Sequence, residues 1–363
     1  MKLSIFEGKS VLITGHTGFK GAWLTTWLSE LGANITGLSL DPHTTPSMFD
    51  SLGISSRIDD KRIDIRDAKA VRDLVAEIQP DFVFHLAAQA LVSKSYESPR
   101  VTWETNVMGT LNLLDALDDL EKNCAVVIVT SDKCYENVEW LWGYKESDLL
   151  GGSDPYSASK ASVELLVNSY IRSFFQKPKS NVVIATARAG NVIGGGDWSQ
   201  NRLVPDCMLA TSKGEATVVR NPNSTRPWQH VLEPLSGYLA LAIALTKNGN
   251  LQGEAFNFGP SDSSEKSVLQ LVNEMKKKWK AIEIEVSESN LNIKEARLLK
   301  LNCEKSNSIL SWRSCLTFEE TTTMTVDWYS GFYGELGSME EITREQINLY
   351  TRMAIAKKID WAV

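Results

Sequence analysis

The chain places a tyrosine and a lysine four residues apart in Tyr156-Ser157-Ala158-Ser159-Lys160, and a serine, an acid and an amine together in Ser131-Asp132-Lys133. Four residues are about one helical turn, so the phenol and the ammonium share a face. A neighbouring cation favours phenolate and lowers a tyrosine pKa from its ordinary value of about 10. The product is a base for a hydroxyl proton. Tyr-x-x-x-Lys alone equally describes an exposed polar face; Ser131, closing a strand between the glycine turn and this pair, makes the set more specific. Asp132 and Lys133 add two titratable groups beyond what alcohol oxidation requires.

A third group lies near the start, in Val11-Leu12-Ile13-Thr14-Gly15-His16-Thr17-Gly18-Phe19-Lys20-Gly21. An apolar run gives way to glycines at 15, 18 and 21, then to a helical pattern with Phe19, Ala22, Trp23, Trp27, Leu28 and Leu31 on one face. Strand, glycine turn and helix form the arrangement that holds a dinucleotide pyrophosphate at a helix N-terminus. Asp41 stands twenty positions after Gly21, at the end of the next apolar segment, where a carboxylate reaches the adenosine ribose. It would repel a 2′-phosphate, and Pro42 and His43 follow it with no Arg alongside, so NAD is favoured over NADP.

These groups need a frame. Strand-like runs at 11–13, 35–40, 82–86, 125–130 and 182–187 alternate with helical patterns at 18–31, 67–78, 101–117 and 157–175. Leu3 and Ile5 read as upstream parts of the first strand. The alternation predicts an α/β fold, a doubly wound parallel sheet of Rossmann type with helices on both faces. Ligands in such a sheet bind at the carboxyl ends of the strands. Asp41, Asp64-Ile65, Leu86-Ala87-Ala88-Gln89 and Thr130-Ser131 all fall there. After Ala189 the regular alternation stops; Gly194-Gly195-Gly196 and the segment Arg220 to Pro227 are loop-like. The expected division is therefore a dinucleotide domain over 1–189, to which 229–260 returns. A smaller mixed α/β substrate region takes 190–228 and 261–363. Helices are expected at 267–279 and 318–328; residues 342–358 have helical spacing that suits a surface or an interface equally.

Composition narrows the function classes. The 38 basic and 45 acidic residues leave a net charge of −7 with no basic run, which argues against nucleic acid. Five Cys at 124, 134, 207, 303 and 315 form no Cys-x-x-Cys pair, and four His are scattered, so no metal cluster or disulfide framework is expected. This usage fits a reducing, cytoplasmic setting. The first strand starts within a few residues of Met1, leaving no room for a signal peptide. The longest apolar stretch, Tyr238 to Leu245, is far short of the roughly 20 residues of a membrane span. Trp23, Trp27 and Trp279 read as core anchors.

The Gly-x-x-Gly-x-x-Gly spacing with Ser131, Tyr156 and Lys160 resembles the short-chain dehydrogenase/reductase superfamily. Longer runs sharpen the likeness, among them 105–110, 142–144, 187–198, 202–206 and 226–231, up to about residue 330. Sugar-nucleotide 4,6-dehydratases generally carry Asp-Glu after the Ser or Thr; Asp132-Lys133 departs from that and is similar to one subgroup, the CDP-glucose 4,6-dehydratases. The resemblance implies a lyase that retains NAD, oxidises C4, eliminates water across C5 and C6 and returns hydride to C6. It implies Tyr156 as base at the 4-hydroxyl, Lys160 lowering its pKa, Ser131 sharing its proton, and Asp132 as acid for the C6 hydroxyl. Lys133 either takes the C5 proton, with burial depressing its pKa, or holds the enolate as a cation. Cofactor contacts are expected from Gly15, Thr17, Gly18, Phe19, Lys20, Gly21, Asp41, Asp64, Ile65, Leu86, Ala87, Ala88, Asn106, Thr130, Tyr156 and Lys160. Substrate contacts are expected from Gln89, Ser131, Asn191, Arg202 and Arg226, where a loop Arg is equally a solvated charge. A nucleotide-sugar 4-epimerase, a 4,6-dehydratase of a GDP-, UDP- or dTDP-linked sugar and a silent NAD-binding regulator are the competing readings. Related enzymes pair through two long helices, here 101–117 and 157–175, as homodimers or dimers of dimers.

Overall fold

The computed structural model describes residues 2–176, 181–219, 221–247, 249–260, 265–286 and 298–362. Of the loop-like segment that starts at Arg220, Arg220 itself lies outside the described residues, as do residues 261–264, 287–297 and 363 of the expected substrate region.

Val, Ile and Phe runs build the centre. β1 (Ser10–Thr14), β2 (Asn34–Ser39), β3 (Asp59–Arg62), β4 (Phe82–His85), β5 (Cys124–Val129) and β6 (Val182–Arg188) join a seventh strand, Ala255–Asn257, in one sheet. Its order is seventh-β6-β5-β4-β1-β2-β3, and every pairing is parallel. Every residue of β5 is buried, as a strand covered on both faces must be. Alternate residues serve opposite faces. Val11, Ile13, Phe82, Phe84 and Val127 pack with Trp23 and Trp27 of α1 (Phe19–Glu30); Leu12, Val83, Val126 and Ile184 pack against α2 (Ala68–Ile78), α3 (Gly109–Asp118) and α4 (Pro155–Tyr170). Strand order reverses between β1 and β4, so a crevice opens at their carboxyl ends.

The helix expected over 101–117 is interrupted. A turn at Pro99–Trp103 passes into a wide π-turn at Glu104–Met108 before α3 begins. The widening carries Asn106 inward, where its buried amide accepts from the Gln89 N–H at 2.8 Å and donates to Ser159 Oγ at 2.8 Å. Likewise α4 gives way to a π-turn at Ile171–Phe175. Leu3 and Ile5 belong to a 3₁₀ turn, Lys2–Phe6, rather than to β1, because Leu3 and Phe6 fill the core beside the strand.

Past β6 come α5 (Leu203–Ser212), α6 (Leu232–Lys247), α7 (Val268–Lys278), α8 (Phe318–Tyr333) and α9 (Met339–Ala356). Capping boxes start α7, through Ser267 and Gln270, and α8, through Thr317 and Glu320. α9 is folded onto the core: Tyr350 is fully buried, edge-on to Trp27 at 5.8 Å and stacked on Trp361 at 5.5 Å.

Candidate active site

Two glycines are dictated by the crevice itself. Gly15 has φ +77°, and a Cβ there would meet Ala87 N at 2.7 Å. A Cβ on Gly21 would lie 2.1 Å from Gly15 O, so only glycine lets α1 start this close to the turn. Gly18 caps α1 without a side chain, leaving first-turn amides for an anion. Thr17 Oγ1 donates to Leu40 O at 3.0 Å and meets Ser39 Oγ at 2.8 Å, tying the turn to the end of β2. The half-buried Leu86, Ala87 and Ala88 form the opposite wall.

Asp41 follows β2 with its side chain 89% exposed. The sequence gives it no neighbouring Arg, but the fold does: Arg62 Nη1 lies 3.7 Å away, because β2 and β3 pair with Ser39 opposite Arg62. Nearby, Arg66 grips Asp64 through Nε at 3.0 Å and Nη2 at 2.6 Å and holds its carboxyl below the ordinary range. Ile65 is buried against Gly109.

At the end of β5, Ser131 caps a 3₁₀ turn, Asp132–Cys134, accepting from the Lys133 N–H at 3.2 Å. Its hydroxyl donates to Asp132 Oδ1 at 3.0 Å, and Ser131 also opposes the upward shift of the Tyr156 phenol. Phenol, hydroxyl and carboxyl are all buried. Pro155 at the first position and Asp154 as N-cap fix the start of α4, so Tyr156 enters the site from its first turn. Glycine at 190 leaves Asp132 its place: a Cβ there would sit 1.8 Å from its Oδ2. Asn191, at φ +52°, reaches the same oxygen at 3.5 Å.

Two electrostatic expectations change here. Burial pushes the Tyr156 phenol up to about 12, and the Ser131 hydrogen bond opposes this only in part. Lys160 Nζ donates instead to Val129 O at 3.2 Å, and burial brings its ammonium down to about 8 while Glu164 pulls the other way. In the protein by itself, burial thus moves the phenol in the direction opposite to the lowering that the spacing predicts. Lys133 is exposed rather than buried.

The remaining expected contacts spread out. Arg202 Nη1 binds Asp197 Oδ2 at 2.8 Å, and its charge acts on both Tyr156 and Lys20. The half-buried Lys20 donates to the Tyr238 hydroxyl at 3.4 Å; burial, with Arg202 next, brings it down to about 8. Gln89 turns its amide onto Thr102 Oγ1 and the Leu91 N–H, at 2.9 and 2.6 Å. Asn106 ties the π-turn to α4, and Thr130 donates to Glu164 at 2.5 Å. Arg226 lies in a strand, Thr225–Pro227, paired antiparallel with 265–267, and donates to Thr225 O at 2.8 Å.

Residues 12–325 match the family model described as GDP-mannose 4,6 dehydratase. The chain is 44% identical over 332 residues to CDP-glucose 4,6-dehydratase of Salmonella typhimurium, covering 91% of this chain and 92% of that one. It is 26% identical to dTDP-glucose 4,6-dehydratase 1 of Escherichia coli, over 88% and 92%. The chain belongs to the GDP-mannose 4,6-dehydratase family. Its fold is shared with the epimerase Mth375 of Methanothermobacter thermautotrophicus, at TM-score 0.76 and 22% identity over 92% of this chain and 96% of that one. A UDP-glucose 4-epimerase from Brucella ovis, solved with NAD, follows at TM-score 0.74 and 19% identity over 88% and 97%.

Sequence reasoning passed over four buried residues around the site. Glu164, one turn beyond Lys160, accepts from Thr130, Thr186 (2.7 Å) and Arg188 (2.8 and 2.9 Å). Burial works against its charge, but Arg188 and the hydroxyls hold its carboxyl below the ordinary range. Arg188 Nη1 reaches the Tyr135 hydroxyl at 2.7 Å, locking the segment after Lys133 to β6. Tyr238 and Asp197 are the others. The available signal was a charged residue inside an apolar helical face, at Glu164, and an acid just past a glycine run, at Asp197.

Proposed function

We propose that the protein converts CDP-glucose to CDP-4-keto-6-deoxyglucose and water, retaining NAD between turnovers. One observation carries this reading: the buried Ser131 hydroxyl holds the buried Asp132 carboxyl at 3.0 Å, and both act on the buried Tyr156 phenol. An alcohol-oxidising pocket has been given an acid. The nucleotide is taken from the relative at 44% identity.

Gly15, Thr17, Gly18, Phe19, Lys20 and Gly21 would hold the NAD pyrophosphate; Asp41, Asp64 and Ile65 the adenosine; and Leu86, Ala87, Ala88, Asn106, Thr130, Tyr156 and Lys160 the nicotinamide half. Support comes from the sterically emptied turn, where any Cβ on Gly15 or Gly21 would clash. Bound there, NAD supplies the acceptor and then the donor of one hydride. Tyr156 takes the 4-hydroxyl proton while Ser131 holds the same oxygen. A C4 carbonyl acidifies the C5 proton and stabilises the enolate formed on its removal. Exposed Lys133 either takes the C5 proton itself or, as a cation, holds the enolate while the solvent beside it takes that proton. Asp132 gives its proton to the departing C6 hydroxyl, which leaves as water. Asn191, Arg202 and Arg226, with Gln89, would bind the nucleotide sugar, since guanidinium forks suit diphosphate oxygens.

The protein is further read as cytoplasmic and dimeric. Its five cysteines are all unpaired, and among the described residues no helix is long and apolar enough to cross a membrane. Tyr96, Trp103, Met108, Leu165 and Phe174 are exposed on the helices around α3 and α4, an apolar face suited to a second copy or to a dimer of dimers.

Product analysis across CDP-, dTDP-, UDP- and GDP-glucose tests the reading. The expected result is the alkaline absorbance of a 4-keto sugar with CDP-glucose in strong preference to the others. An epimerised sugar without loss of water, or no turnover with any of the four, overturns it.

A further inference from the structure

The loop 194–202 is welded to helices distant in sequence. Trp23 of α1 donates to Gly195 O at 2.9 Å. A Cβ on Gly195 would lie 2.0 Å from the Trp328 ring of α8. Trp198 packs on Trp328 at 5.6 Å and on Phe332 at 4.8 Å, and its Nε1 donates to the Tyr333 hydroxyl at 3.0 Å. The Tyr329 hydroxyl donates to Asp197 O. Asp197, only 4% exposed, spends one oxygen on the Ser199 N–H at 2.9 Å and the other on Arg202 Nη1 at 2.8 Å. A buried carboxylate is stable only when so satisfied. Its second oxygen therefore fixes where the guanidinium points.

We propose that α8 is a positioning element for substrate: Tyr329 and Tyr333 lock loop 194–202 so that buried Asp197 aims Arg202 at the diphosphate of the nucleotide sugar. The residues at 329 and 333 are one turn apart on one face. Both hydroxyls are bonded to the loop, where phenylalanine would fill the same space without that link. This deepens the proposed function and rests on Arg202 being a substrate residue.

The test is a double-variant cycle on the full chain with NAD and CDP-glucose. Tyr329→Phe should raise KM for CDP-glucose about tenfold with kcat within about twofold, the scale of coupling inside one hydrogen-bond network. In an Arg202→Met background the same change should alter KM by less than about twofold, because the residue it acts through is gone. Tyr333→Phe repeats the measurement should Tyr329→Phe fail to fold. A fall in kcat with KM unchanged, or full additivity with Arg202→Met, overturns the proposal. A second readout is independent of turnover. The rate at which phenylglyoxal modifies Arg202, followed by peptide mass, should rise several-fold in Tyr329→Phe and in Tyr333→Phe. An unchanged rate in both overturns the proposal. A wild-type protein inert toward every nucleotide sugar sinks the dehydratase reading, while the labelling rate still decides the brace.

Discussion

At the scale of single residues, the site depends on how little room surrounds Asp132. Its carboxyl is pressed against Gly190, and Ser131 holds one of its oxygens. Gly190→Ala would drive a methyl into Oδ2 and turn the carboxyl away from Ser131 and Tyr156. Misplacing a reacting group by about 1 Å costs on the order of 100-fold in rate. The expected outcome is a drop of that size in kcat for 4-keto-sugar formation, with a melting temperature close to wild type. Unaltered kcat would mean that Asp132 gives no proton. The sequence offered Asp132 and its neighbours as a group but could not show the close approach of Gly190, because Gly190 lies 58 positions further on.

Among elements, the junction of β1, the glycine turn and α1 is the clearest case of sequence dictating geometry. Gly21 must be glycine because the helix begins against the turn's own carbonyl. Gly21→Ala should cost about 1–3 kcal/mol of stability, the usual range for overpacking, and should weaken NAD binding in a direct titration. Retention of wild-type affinity would remove this turn as the dinucleotide site. The π-turn at Glu104–Met108 was not legible in the sequence: the apolar spacing over 101–117 is that of a continuous helix, and only the partners of Asn106, Gln89 and Ser159, explain the widening. The nearness of Arg62 to Asp41 is of the same kind, since it follows from the β2–β3 register.

Across the whole molecule, the C-terminal helices are fastened to the sheet through one buried acid. Glu233 on α6 accepts from the Cys315 N–H at 2.8 Å, the Leu316 N–H at 2.5 Å and the Tyr350 hydroxyl of α9 at 2.8 Å. Burial nevertheless raises its pKa from 4.5 to about 7. The folded protein then binds this proton more tightly than the unfolded chain does. The contribution is complete below pH 4.5 and is lost as pH rises through 7, a swing on the order of 3 kcal/mol. Glu233→Gln cannot titrate, so the stability of wild type relative to this variant should fall between pH 5 and pH 8 in denaturant titrations. A constant difference would show that Glu233 keeps one protonation state throughout. At the same scale, the exposed apolar face that includes Leu165 predicts self-association. Leu165→Glu should shift the sedimentation profile toward monomer, and a wild type that is already monomeric would end that reading.

The sequence alone determined the parallel sheet and the glycine turn, and set Ser131, Tyr156 and Lys160 apart as one candidate set, because strand alternation, glycine spacing and helical spacing are local properties of the chain. It also singled out Asp132-Lys133. Only the tertiary structure decided the electrostatics and the support. Burial puts Tyr156 near 12 and leaves Lys133 in solvent. Packing brings α8 against loop 194–202 and seats α9 on α1. Desolvation and contacts across more than a hundred residues depend on which surfaces meet, and no local spacing records that.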